Sequence, residues 1–254
     1  MVQRSIAWLA VSLLAAYAGV GCGGEQVSPP QVSEPQEVTF VSSDSAYLVG
    51  TWQEVPNARV AVICIPTVDF TRSTWSNTAN LLTSSGWSVL VFDLRGQGDS
   101  RMPDKSRWAW SPADTATGIG YYMKDIRGAI SFVRGKMGNT VKIVLVGADL
   151  GGVSGLYAAT AEPRVAGVAL ISPPGGLSNL IAGGLVSRYG DRPLLIMTEQ
   201  PMEATLGTPR TMDSWLGRGS AMTLRLTEPQ KTTTLQNKQA AHNMLARWIA
   251  SVTL

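Results

Sequence analysis

Between Val144 and Gly155 the sequence reads VLVGADLGGVSG. An apolar, strand-like run enters a turn bounded by Gly147 and Gly151, and a small-residue, helix-like segment leaves it. A strand-to-helix turn of the G-x-S-x-G kind lifts one side chain clear of the backbone and presents it as a nucleophile, normally serine. Here the side chain at the tip is Asp149. A carboxylate in that place can displace a leaving group and form an enzyme ester, but hydrolysing the ester requires a water activated by a base. The alternative is a structural replacement: aspartate tolerates strained backbone better than most residues, and a helix start favours a stable anion.

The supply of partners is small. The whole chain contains one histidine, His242, set among Ala241, Met244, Leu245, Trp248 and Ile249. That spacing is a helical apolar stripe, which places His242 at the margin of the core. Cys64 stands alone in the apolar run RVAVICIP and reads as a small buried hydrophobe. No paired carboxylates or cysteine clusters stand at metal-ligand spacing, and neither RGQGDS nor GADLGG completes a dinucleotide fingerprint, so no metal or cofactor is expected. The net charge of +3 is mild and the basic residues are scattered, which gives no case for nucleic acid.

The elements that must position Asp149 follow from the periodicity. With 254 residues, 44% of them apolar, the chain is long enough for one sizeable core. EVTFVSS and AYLVGTW read as an opening antiparallel pair, and RVAVICI as the first buried strand. WSVLVFD, VKIVLVG, RVAGVALIS, RPLLIMT and AMTLRLT are the later strands. Between them lie helix-length segments in WSNTANLLTSSG, GYYMKDIRGAISFVRGKM and VSGLYAATA, with shorter ones near LSNLIAGGL and RTMDSWLG. A last helix is predicted from about Thr233 to Ser251, which puts His242 roughly 16 Å along it from the preceding loop. This alternation specifies an α/β fold, a mostly parallel sheet with helices on both faces.

Over residues 37–254 the order of elements resembles the α/β-hydrolase fold. FDLRGQGDS (92–100) is similar to the D-x-x-G-x-G-x-S loop that follows the fourth strand of many members, and VLVGADLGG and VALISPP follow at fitting distances. Only a short connection joins VALISPP to RPLLIMT, too short for a cap domain. Haloalkane dehalogenases and epoxide hydrolases, the branches with an aspartate nucleophile, normally carry a cap there. The resemblance is therefore to capless, esterase-like and dienelactone-hydrolase-like members, which use serine or cysteine, and it implies that Asp149 is a substitution in a serine-type scaffold.

The same resemblance assigns the remaining positions. The first strand of such enzymes commonly ends in His-Gly; here it ends Ile65-Pro66-Thr67, so one amide donor is lost and the Thr67 N–H remains for an oxyanion. Thr67 and Leu150 are the binding candidates beside the elbow. The acid falls near Gln200 or Pro201, leaving Glu199 and Glu203 as shifted candidates or as ordinary solvated glutamates. The histidine loop corresponds to TEPQKTTTL, which has Gln230 and Lys231 and no histidine. Lys231, or the hydroxyls of Thr232 to Thr234, is expected to close on Asp149, since a partly buried carboxylate without partners is costly.

The N-terminus reads separately. MVQR is basic, Ser5 to Val20 is apolar, and Gly19 and Gly21 bracket Val20 just before Cys22. This resembles the lipobox of a bacterial lipoprotein, although Gly19 stands where leucine is usual; a short uncleaved anchor helix is the other reading. The expected organisation is a signal peptide at 1–21, a Pro/Gln/Ser/Glu tether at 22–36 after lipidated Cys22, and the domain at 37–254. Gly23 carries no inner-membrane retention signal, so the expected location is the outer membrane, at its periplasmic face or the cell surface. In SRMPDKSRWAWSP (100–112), Trp108 and Trp110 among basic residues can touch lipid head groups, cover the pocket, or simply pack as a loop.

Two function classes remain. The first is a non-catalytic envelope lipoprotein of hydrolase fold that binds a small ligand or an envelope protein. The second is an active hydrolase with a rearranged site, Asp149 with Glu199 or Glu203 and Lys231. Fold alone does not choose between them.

Overall fold

Strands that are apolar at every position belong in the middle of a parallel sheet, covered on both faces. VAVICI, SVLVF and KIVLVGA are such runs. In the computed structural model they form β3 (Val60–Ile65), β4 (Ser88–Phe92) and β5 (Lys142–Ala148), buried throughout except for Lys142. The structure describes residues 32–101, 115–174, 183–198, 221–225 and 239–254. β3 lies between β4 and β5 and is parallel to both, with Ile63 opposite Leu90 and Leu145.

Around this centre stand β1 (Gln36–Val41), β2 (Tyr47–Gln53), β6 (Val165–Ile171), β7 (Leu194–Thr198) and β8 (Ala221–Arg225). The sheet formed by the described residues has eight strands in the order β1-β2-β4-β3-β5-β6-β7-β8. β1 and β2 form the antiparallel pair expected from EVTFVSS and AYLVGTW, β2 is antiparallel to β4, and every other pairing is parallel. Only residues 172–193 connect β6 to β7, in keeping with a capless domain.

Alternate residues of the strands feed two cores. Ala61, Ile63 and Ile65 pack with Tyr122, Ile126 and Ile130 of α2 (Thr115–Met137), Val153 and Leu156 of α3 (Asp149–Thr160), and Leu185 of α4 (Gly183–Tyr189). Val60, Val62 and Cys64 face the other way. They pack with Ala79 and Leu82 of α1 (Ser76–Ser84), Trp75 of the preceding 3-10 turn (Arg72–Trp75), and Leu245 and Trp248 of α5 (Gln239–Thr253). Each large side chain so buried contributes about 1.5–3 kcal/mol.

Helix limits differ from those predicted more than strand limits do. α2 begins at Thr115 rather than Gly120, because the preceding residues lack the apolar periodicity that would mark it. The short helix predicted near 177–185 meets α4 only at Gly183–Leu185, and the one near 210–217 lies outside the described residues. The described part of the last helix begins at Gln239, so His242 stands in its first turn.

The loop after β4 is a clamp. The buried Asp93 carboxylate accepts from the Arg72 backbone N–H at 2.7 Å, the Arg72 guanidinium at 2.5 Å and the Asp99 N–H at 3.0 Å. Gly98 is required there: its φ is +47°, and a Cβ would fall on the Asp93 carboxylate. The Ser100 hydroxyl completes the turn, donating to Asp93 O at 2.7 Å and accepting from Val49 N–H at 2.9 Å. Arg95 is buried and pairs with Asp125 of α2 at 2.7 Å and with Asp44 of the β1–β2 turn at 2.6 Å.

Candidate active site at the end of the fifth strand

β5 passes into α3 without an intervening residue, and Asp149 takes φ 48°. This left-handed backbone costs most L-residues free energy and is visited most readily by Gly, Asn and Asp. The turn is tight because backbone packs on backbone: a Cβ on Gly147 would stand 2.5 Å from Gly152 Cα, and one on Gly151 would overlap the Pro66 carbonyl. The end of β3 is thus pressed against the first turn of α3. Glycine at these positions is what allows the two loops to meet.

That approach delivers Thr67. Its side chain is buried, and its Oγ1 donates to Asp149 Oδ2 at 2.9 Å. The Leu150 backbone N–H also favours the charged form of that carboxylate. In a serine elbow the N–H of the residue after the nucleophile faces the developing oxyanion. Here the residue before that N–H itself bears an anionic side chain, held by Thr67.

Burial pushes the Asp149 carboxyl above its ordinary range, and the bonds from Thr67 and Leu150 oppose the shift without cancelling it. The sequence reading, in which the helix start simply favours the anion, needs this correction. Desolvation of a half-buried carboxylate outweighs the donors offered to it.

His242 is buried, and its Nε2 lies 3.1 Å from Thr78 Oγ1 of α1. Its helix packs on the sheet face opposite to α3, in the cluster of Trp75 and Ala79. The apolar stripe therefore located it correctly at the core margin; the predicted helix start near Thr233 lies outside the described residues. Cys64 is fully buried, and burial pushes its thiol far up, which keeps it protonated.

Of the sequence-derived site residues, the structure brings together Asp149, Thr67 and Leu150. The Thr67 hydroxyl bonds Asp149; the sequence reading names only the Thr67 N–H, as a donor to an oxyanion. Cys22, Trp108, Trp110, Glu199, Glu203, Lys231 and Thr232 to Thr234 lie outside the described residues. The described residues contain no group of three His, Cys, Asp or Glu side chains able to hold a metal ion. Sequence reasoning missed the Arg72–Asp93 pair, for which the aspartate of FDLRGQGDS was the available signal.

The comparisons with known proteins agree with the fold. The model of the alpha/beta hydrolase fold family matches residues 61–248, and the chain belongs to that family. The solved Pyrococcus furiosus esterase Pf2001 superposes with a TM-score of 0.66 at 14% identity, over 86% of this chain and 92% of its own. A dienelactone hydrolase from Anabaena variabilis gives 0.63 at 18% identity, over 86% and 97%. The Bottromycin epimerase BotH, in complex with Bottromycin A2, gives 0.56 at 16% identity, over 85% and 99%. These likenesses establish the fold alone. No curated protein matches the sequence.

Proposed function

We propose that this chain is a degenerate α/β-hydrolase-fold protein, non-catalytic at its elbow, that binds a small ligand or an envelope partner. The observation that carries this reading is the occupation of the elbow by its own contacts. The side chain at the nucleophile position is a carboxylate that holds the Thr67 hydroxyl, and its charged form is further favoured by the Leu150 N–H, the group an oxyanion would need. The one histidine of the chain bonds to Thr78 beneath α1, which deprives Asp149 of the usual base. A neighbour named as an epimerase supports the view that this fold serves chemistry other than hydrolysis.

On this reading Lys231 or the Thr232 to Thr234 hydroxyls complete the set of donors around Asp149, and the loop with Trp108 and Trp110 lies on the same rim. The chain is held at the outer membrane by acylated Cys22, with residues 22–36 as the tether. The attachment this reading requires is a lipid anchor on Cys22. A panel of ester and haloalkane substrates, run on the wild type beside Asp149→Ser and Asp149→Ala, tests the proposal. It expects no turnover that the alanine variant abolishes; wild-type turnover lost in Asp149→Ala would overturn it.

A further inference from the structure

β1 is the outer strand of the sheet formed by the described residues, and in an antiparallel pair the backbone groups of successive residues point to alternate sides. The bonds around β2 fix which side each residue of β1 serves. Val49, opposite Thr39 in register, accepts from the Asp93 N–H at 2.9 Å and donates its own N–H to Ser100 Oγ at 2.9 Å, so both its groups face β4. Just past the strand, the Ser42 N–H donates to Ala46 O at 2.9 Å, on the β2 side. The alternation counted from either point agrees. Val38 and Phe40 bond inward to β2, and Glu37, Thr39 and Val41 carry their N–H and C=O groups on the open side.

An open edge is a template for another strand, and natural proteins blunt it with proline, lysine or a bulge. The six residues QEVTFV contain no proline or lysine, and their register with β2 is unbroken from Gln36 to Val41. At the far end Val41 is 58% exposed and its register partner Tyr47 50% exposed, two large apolar side chains standing side by side. On the opposite face Val38 and Phe40 are half-buried, and the Phe40 ring lies 5.2 Å from that of Phe132 of α2.

We propose that β1 pairs antiparallel with β1 of a second copy of this chain, about a two-fold axis at Thr39, joining two sheets into one. Such a pair must match twice: outward-facing residues oppose outward-facing residues, and opposed side chains share a face. An axis at Thr39 meets both conditions. Thr39 opposes Thr39 of the second copy, and Glu37 opposes its Val41, so every outward N–H and C=O of β1 finds a partner. On the other face Val38 meets Phe40 of the second copy and extends the apolar layer. The two Glu37 carboxylates lie at opposite ends of the ladder, each with its own Arg72 at 2.8 Å, so like charges do not meet. Because β1 alone satisfies all of these matches, the edge selects a second copy over an unrelated strand. The ladder is short, which makes the association weak and dependent on concentration. It is independent of Asp149 and of any catalysis.

Backbone amide exchange at residue resolution tests it, on the full chain in non-ionic detergent from about 1 to 300 μM. The expected result is that exchange at Glu37, Thr39 and Val41 slows by about tenfold as concentration rises, while Val38 and Phe40, already bonded to β2, change little. Thr39→Lys sets two ammonium groups against each other across the axis, and Thr39→Pro removes an outward donor without touching a β1–β2 bond. Both variants should lose the concentration dependence at Glu37 and Val41, with unfolding curves showing that they fold. Exchange at Glu37 and Val41 that ignores concentration in the wild type, or slowing that persists in a folded Thr39→Lys variant, would overturn the proposal.

Discussion

The hydroxyl of Thr67 donates to the Asp149 carboxylate at 2.9 Å, joining residues 82 apart in sequence at the ends of two neighbouring parallel strands. The bond satisfies one lone pair of a partly desolvated carboxylate. Thr67→Val removes the donor while keeping the branched shape, and should destabilise the fold by about 1–3 kcal/mol at neutral pH. Urea unfolding measures this; an unchanged midpoint would mean that water replaces Thr67 without loss.

The protonation of Asp149 links stability to pH. Because burial raises its folded-state pKa, the folded chain holds more protons than the unfolded chain between the ordinary aspartate value and the raised one. Stability therefore falls as pH rises through that window and stays lower above it. Asp149→Asn keeps a residue suited to left-handed backbone and has no such penalty. The variant should be more stable than wild type at neutral pH, with the difference shrinking toward about pH 3. A variant less stable at neutral pH would show that the carboxylate is the favoured form.

The sheet was legible because β3, β4 and β5 are apolar at almost every position, a pattern that exposed strands do not sustain. Asp149 was legible because Gly147 and Gly151 bracket it, and His242 because its neighbours repeat at helical spacing. The role of the Thr67 side chain was not. It depends on Gly151 admitting the Pro66 carbonyl, a contact between distant segments that no local pattern encodes. The raised pKa of Asp149 escaped for the same reason, since burial is set by the assembled loops.

Gly98 holds the loop after β4 in a conformation that places backbone against the Asp93 carboxylate. Gly98→Ala adds a Cβ both to left-handed backbone and to occupied space, and should cost about 1–3 kcal/mol from the backbone alone. Thermal unfolding of the variant beside wild type checks this, and a cost near zero would show that the loop shifts freely.

On the proposed reading, anchoring rests on Cys22. Cys22→Ser should block lipidation, halt processing at the 21/22 junction and release the protein from the membrane fraction. Unchanged processing and fractionation would leave the apolar N-terminal segment itself as the anchor.

The most direct test of the elbow asks whether Asp149 ever forms and loses an ester. An aspartate nucleophile that turns over in heavy-oxygen water takes up the label in its own carboxylate, because water attacks the ester at the enzyme's carbonyl carbon. After incubation with ester and haloalkane substrates, the peptide spanning residues 143–164 should show by mass spectrometry no heavy oxygen on Asp149. Substrate-dependent label at Asp149 would contradict the account and make this residue a working nucleophile.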